Sequence, residues 1–421
     1  MSGLGARLAG FAGLPLISLI TPLLVLPVLG RVAGDRGWAS LMAGEAIGTL
    51  AAIVVAYGWN TSGPPRVALT ADVAARARLY RESLVVRVWL AVAVAPVVVL
   101  LSVLVATPGY RSASALMGIA GTVTGLSFAW YAVGAGDPRS IAVFEAVPRV
   151  VAAAVSAGAV LVTRELAIYP VLAVGASLAG VVLFSRRVLA ADPTVPADRP
   201  RLRRLLVRDR AIAFNDIAGG AYASVPVPTV QTVSAPAPAA AFASADKLYK
   251  FGLYVPITLA NAFQSWTVEG PAHDRARRLR VALGAHVGVG LVGWAVLAAL
   301  GPWASATLFG DEVTAARSAC VWLGAAFVLV SARISMTRHV LVPAGRIRVV
   351  VVSTVAGALV GLVAIVSLTV ALGPVGAAMG LTASEAVAAG ILVLPSARRV
   401  GDLASAPPER STAFGDPGEG R

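Results

Sequence analysis

The chain has 421 residues, a mean hydropathy of +0.80, 57% hydrophobic residues and only 13% charged ones. A soluble globular domain carries about 25% charged residues, so this composition excludes one and indicates an integral membrane protein. The net charge of +14 does not point to nucleic acid, because the bases fall in short connections between apolar runs.

Several chemistries are also excluded. The single cysteine, Cys320, allows neither an internal disulfide nor a cysteine-based metal site. His273, His286 and His339 are too far apart for metal-ligand spacing. There is no phosphate loop, nucleophile elbow or histidine-based acid–base group. The expectation is a protein that is not an enzyme and carries no cofactor.

A helix needs about 20 apolar residues to cross a bilayer. Twelve stretches qualify in chain order: 10–29, 38–57, 84–106, 112–133, 141–163, 166–185, 211–234, 239–266, 280–300, 317–338, 349–371 and 374–395. The first, Gly10 to Leu29, is long for a cleaved signal and reads as an uncleaved span. The fold class is therefore all-α and polytopic. The longest hydrophilic connection follows the sixth span, which predicts a six-helix lobe over 1–185, a basic cytoplasmic linker over 186–210, a second lobe over 211–398 and a disordered tail over 399–421. A six-plus-six division is typical of transporters built from two related bundles with the substrate path between them.

Orientation follows from the bases. With the N-terminus inside, 26 of the 35 basic residues fall on the cytoplasmic side, among them Arg66, Arg76, Arg78, Arg81 and Arg87 and eight arginines from Arg186 to Arg210. Five fall outside: Arg31, Arg36, Arg111, Arg164 and Arg317. Arg149, Lys247, Lys250 and Arg333 remain within spans. This bias predicts a plasma-membrane protein with both termini cytoplasmic. The outer loops are short and leave no room for a folded external domain.

Charges within the spans are the functional candidates, since each costs roughly 2.5 kcal/mol or more at membrane depth unless it meets a partner or water. The eighth span holds Asp246, Lys247 and Lys250, and these are the only two lysines of the chain. Asp246 precedes Lys250 by four, the favourable order for a helical ion pair. On the fifth span Glu145 and Arg149 are also four apart, and Pro148 should bend the helix there. Asp216 lies near the start of the seventh span, close to the interface, and Pro226 and Pro228 should break that span. Glu45 and Glu385 have no base nearby in sequence and need tertiary partners or protonation. Arg333, near the inner end of the tenth span, is placed to snorkel to the interface. The glycine pairs Gly284/Gly288 and Gly357/Gly361 permit close helix packing. More bases than acids in the interior suggests an anionic cargo, with the reservation that paired charges cancel.

Two stretches carry a family resemblance. Leu29-Gly30-Arg31-Val32-Ala33-Gly34-Asp35-Arg36-Gly37-Trp38 joins the first two spans, and the second span ends in Tyr57-Gly58-Trp59-Asn60 followed by Pro64-Pro65-Arg66. An Arg-x-x-Gly turn with an aromatic residue, then an aromatic-Gly-aromatic-Asn segment and a base, resembles the start of the Wzx-type polysaccharide flippases of the multidrug/oligosaccharidyl-lipid/polysaccharide exporter superfamily. The eighth span, with its lysines and Pro256, is similar as well. The resemblance implies a two-lobed bundle around a central cavity, with undecaprenyl-diphosphate-linked oligosaccharide as cargo. It implies a diphosphate site drawn from Lys247, Lys250, Arg149, Arg31 and Arg333. Glu45, Glu145, Asp216, Asp246 and Glu385 are then the cavity acids or coupling groups. The partners implied are membrane lipids, a polysaccharide polymerase and glycosyltransferases, with no nucleic acid. A drug or ion antiporter of the same superfamily, and more remotely a polytopic glycosyltransferase or polymer ligase, remain the alternatives.

Overall fold

The computed structural model describes residues 2–190, 202–267 and 274–405, with the backbone alone for residues 2–20 and 265. Every regular element among them is a helix. The first, α1 (Ser2–Ala56), runs through both of the first two expected spans. A straight helix of 55 residues would be about 80 Å long, well over twice the hydrocarbon core of a bilayer. Gly34 breaks it at φ 62° and ψ −171°, a conformation that only glycine takes without strain. The expected connecting turn is thus a one-residue joint between two helical segments. Tyr57 and Gly58, both at positive φ, end α1 and lead into the short α2 (Trp59–Leu69).

Asp72 caps α3 (Val73–Val105), its carboxylate accepting from the Ala74 and Ala75 amides. The fourth span is α4 (Arg111–Val123), a 3₁₀ turn over Thr124–Leu126, and α5 (Ala129–Ala135). The fifth is α6 (Pro138–Ile141), a π-helical turn over Ala142–Ala146, and α7 (Val147–Thr163). The sixth is α8 (Ile168–Leu189).

In the second half the seventh span, expected over 211–234, begins earlier and is split into α9 (Leu202–Ser224) and α10 (Pro226–Val233) at the expected prolines. The eighth is split too. α11 (Pro236–Gly252) gives way to α12 (Tyr254–Trp266) because Pro256 offers no N–H to the Gly252 carbonyl. Then follow α13 (Arg275–Phe309), α14 (Arg317–Ser335) with a π-helical turn over Met336–Leu341, α15 (Ile347–Leu372) and α16 (Pro374–Ser405).

Nine helices among the described residues are long and apolar enough to cross a membrane. The broken pairs α9–α10 and α11–α12 fall outside that set because each piece is short or polar, and the two segments of α1 count there as one. The fold is all-α and polytopic, with about twelve spans in two lobes around a central space. Helix extends into both segments expected to be hydrophilic connections: α8 and α9 reach into 186–210, and α16 reaches into 399–421. The centre of the expected linker and the end of the expected tail lie outside the described residues.

Close packing follows small residues, though not at every predicted site. Gly44 and Gly48 seat α1 directly on the backbone of α4 at Ser114 and Gly118. Gly357 and Gly361 of α15 press on Ser384 and Ala388 of α16, as their spacing suggests. Gly284 and Gly288 do not behave this way. No neighbouring helix comes within 4 Å of where a Cβ would sit on either, and Gly288 instead lines an apolar groove.

Candidate functional site

The site is built where α1 meets α11, which are far apart in sequence. Gly44 and Gly48 hold one face of α1 against α4, and Glu45 between them leaves by another face. There it meets Lys247 of α11, with Nζ 2.5 Å from Oε2. One turn along α11, Lys250 pairs with Asp246 at 2.7 Å. These four residues line a cavity of about 160 Å³ together with Thr49, Ile53 and Val227.

Glu45 and Thr49 also line a second, larger cavity of about 390 Å³ that contains Glu145, Arg149, Tyr169 and Tyr254. Its charged wall depends on Pro148. Proline at that position leaves the Phe144 carbonyl without an α-helical donor. The chain responds with the π turn, in which the Val147 amide bonds the Ala142 carbonyl five residues back. Gly180 of α8 makes room for the Phe144 carbonyl, since a Cβ there would overlap its oxygen. The turn places Glu145 beside Arg149, Nη1 to Oε1 at 3.1 Å, and the Ser127 hydroxyl donates to the other carboxylate oxygen at 2.7 Å.

The sequence predicted an interior with excess positive charge. The structure corrects this: the two adjoining cavities hold Glu45, Glu145 and Asp246 against Arg149, Lys247 and Lys250, each cation in an ion pair. The pairs are not symmetric towards the space. Lys250 is 33% exposed and Asp246 3%; Arg149 is 28% exposed and Glu145 15%. In both, the cation is the more exposed partner. The third pair is reversed, with Glu45 28% exposed and Lys247 12%.

The remaining candidates lie elsewhere. Arg333 does not snorkel. Its guanidinium grips Glu385 of α16, Nε to Oε2 at 2.8 Å, and Tyr222 of α9 donates to the same carboxylate at 2.9 Å. This is the tertiary partner that Glu385 required. Arg31 donates to the Thr307, Leu308 and Pro27 carbonyls, capping the end of α13. Asp216 accepts from Thr61 at 3.0 Å.

The two halves of the chain are also joined at both ends of the bundle. At one end, Arg31 caps α13 and the Trp38 ring lies 5.0 Å from Phe309, while Gln231 reaches Thr107. At the other, Arg66 makes a two-point contact with Asp209, and Arg208 bridges Asp209 and Glu82. The Arg66 and Arg208 guanidiniums both lie over the Trp59 ring. Sequence reasoning missed Asp209, Tyr222 and Ser127. It also counted Arg87 with the cytoplasmic loop, although Arg87 is fully buried on α3. The one available signal was its position inside the apolar run that starts at residue 84.

No protein-family model and no curated protein matches this chain. Solved structures do. The chain is similar to an inward-facing MATE-family multidrug resistance transporter of the MOP superfamily, at TM-score 0.63 and 16% identity over 92% of this chain and 98% of that one. It is similar to the lipid II flippase MurJ in its inward closed conformation, at TM-score 0.61 and 8% identity over 92% of this chain and 90% of the other. A MATE transporter in complex with MaD3S matches at TM-score 0.53 and 17% identity over 94% of both chains. At these identities the likeness establishes the shared fold.

Proposed function

We propose that the chain is a transporter of the MOP-superfamily type that moves an anionic, polyprenyl-diphosphate-linked oligosaccharide across the plasma membrane for cell-surface polysaccharide synthesis. The termini would be cytoplasmic and the two lobes would be α1–α8 and α9–α16. The lobes rock about the cavity in alternating access. The headgroup displaces Asp246 from Lys250 and Glu145 from Arg149, while the polyprenyl tail stays in lipid. Guanidinium and ammonium groups are suited to this because they bind phosphoryl oxygens by charge-assisted hydrogen bonds. Arg31 and Arg333, engaged at a helix end and with Glu385, are secondary candidates. Glycosyltransferases and a polymerase would supply and consume the cargo.

The supporting observation is that Lys250 and Arg149 are each more exposed than the carboxylate they pair with. The more accessible member of each pair is the one an anion would bind. The reversed pair, with Glu45 the more exposed, favours the second reading, an antiporter of cationic drugs in which the drug displaces Lys247. Reconstitution into vesicles separates the two. Flipping of a fluorescent polyprenyl-diphosphate sugar that is lost in Lys250→Ala supports the flippase. Export of a cationic dye that is lost in Glu45→Gln, with no lipid flipping, overturns it.

A further inference from the structure

Arg87 is fully buried on α3, yet two of its three guanidinium nitrogens, Nε and Nη2, have no hydrogen-bond partner among the described residues. Its Nη1 alone is used, donating to the Ser127 carbonyl at 2.6 Å and weakly to that of Gly125. Its planar group lies over the Trp130 ring at 5.6 Å. Two further buried donors nearby are also unsatisfied: the Trp130 indole N–H, and the hydroxyl of Ser83 one turn back on α3. A buried cation in this state is unfavourable, because its lost hydration is not replaced. Beyond the Ser127 and Gly125 carbonyls, no acceptor among the described residues takes a hydrogen bond from this guanidinium.

The nearest acidic group by connection is Glu145. The Ser127 carbonyl holds Arg87, and the hydroxyl of the same residue holds Oε2 of Glu145. One residue therefore spans the two charges, and Glu145 is committed through its other oxygen to Arg149.

We propose that Arg87 is the alternate cation for Glu145. In the structure Glu145 neutralises Arg149. When the phosphoryl oxygens of a lipid-linked anion take the Arg149 guanidinium, Glu145 swings past Ser127 to Nε and Nη2 of Arg87. Binding then strands neither charge, because a carboxylate that loses one partner gains another. Arg87 never touches the cargo; it is a positioning residue that sets how readily Arg149 is released. The inference rests on the assignment of Arg149 to an anionic cargo, but the exchange itself can be tested without cargo.

Arg149→Gln releases Glu145 with no ligand present, so the test compares Arg87→Met in the wild-type and Arg149→Gln backgrounds of the purified full chain. Arg87→Met leaves the wild-type melting temperature nearly unchanged, because it removes a cation with few partners. It lowers that of the Arg149→Gln protein by about 3 °C or more. Arg87→Lys retains most of the difference, and adding Glu145→Gln abolishes it. Equal shifts in the two backgrounds overturn the proposal and leave Arg87 a packing residue. A binding arm uses geranylgeranyl diphosphate in nanodiscs. Arg87→Met weakens binding about tenfold with Glu145 present and does not change it in Glu145→Gln; equal weakening in both again overturns the proposal. If the wild type binds no lipid diphosphate, the cargo assignment falls while the melting comparison still decides the exchange.

Discussion

Lys247 Nζ lies 2.5 Å from Glu45 Oε2, an ion pair between residues 202 positions apart that ties α11 to α1 at the cavity wall. Neither partner is fully shielded, so the pair can open without great cost. Lys247→Ala leaves Glu45 facing the cavity alone and should destabilise by about 1–3 kcal/mol. Adding Glu45→Gln should restore stability. The double substitution Lys247→Ala with Lys250→Ala should abolish glycolipid flipping in vesicles while insertion and folding persist. Retained flipping would remove both lysines from the site.

Arg333 and Glu385 should respond differently, because both are largely buried and Tyr222 completes their network. Glu385→Gln should cost about 3 kcal/mol or more by leaving a buried guanidinium unpaired. Replacing the pair together, as Arg333→Met with Glu385→Leu, should recover most of that. Chemical denaturation of the single and double variants measures it. Loss of flipping in a double variant that is fully stable would show that the network serves transport as well.

Pro148→Ala supplies the missing amide for Phe144 and should convert the π turn into regular α-helix. Closing the π turn shifts the helical register by one residue, which rotates α6 by about 100° relative to α7. The protein should be as stable or more so, with flipping sharply reduced. Gly180→Ala probes the same element from α8. Its Cβ would overlap the Phe144 carbonyl, and overpacking of this kind costs about 1–3 kcal/mol. A Gly180→Ala protein of unchanged stability would contradict the packing described.

Asp209 is almost fully buried between Arg66 and Arg208. Asp209→Asn should loosen that end of the bundle, since Arg66 then loses its carboxylate partner and Arg208 keeps only Glu82. Maleimide labelling of a cysteine placed at Thr61 should rise several-fold, with Cys320 replaced by serine to remove the native thiol. Labelling at the opposite end, at a cysteine placed at Thr307, should not rise.

Much of this arrangement could be read from the chain alone. Apolar runs separated by arginines gave the number of spans, and the prolines at 226 and 228 marked the break in the seventh. The pairs Glu145–Arg149 and Asp246–Lys250 were legible because a helix fixes the distance between positions four apart. Glu45–Lys247, Arg333–Glu385 and Arg66–Asp209 were not, because nothing local links their partners; packing of one half of the chain on the other brings them together. The one-residue joint at Gly34 was hidden for a related reason. A ten-residue polar connection reads as a loop, whereas tertiary packing winds all but one of its residues into helix. The excess of bases over acids also misled. It holds for the whole chain, but the cavities gather one carboxylate for each cation.

That one-to-one matching has an electrical consequence. With three acids answering three bases, the cavity walls of an empty carrier of the proposed kind carry no net charge, so they add nothing to the voltage dependence of its return stroke. A loaded carrier bears the charge of its phosphates. For each elementary charge carried outward across the full field, a potential negative inside contributes about 2.3 kcal/mol per 100 mV. The resting voltage of the cell would then suffice to give the cycle its direction, with no ion gradient required.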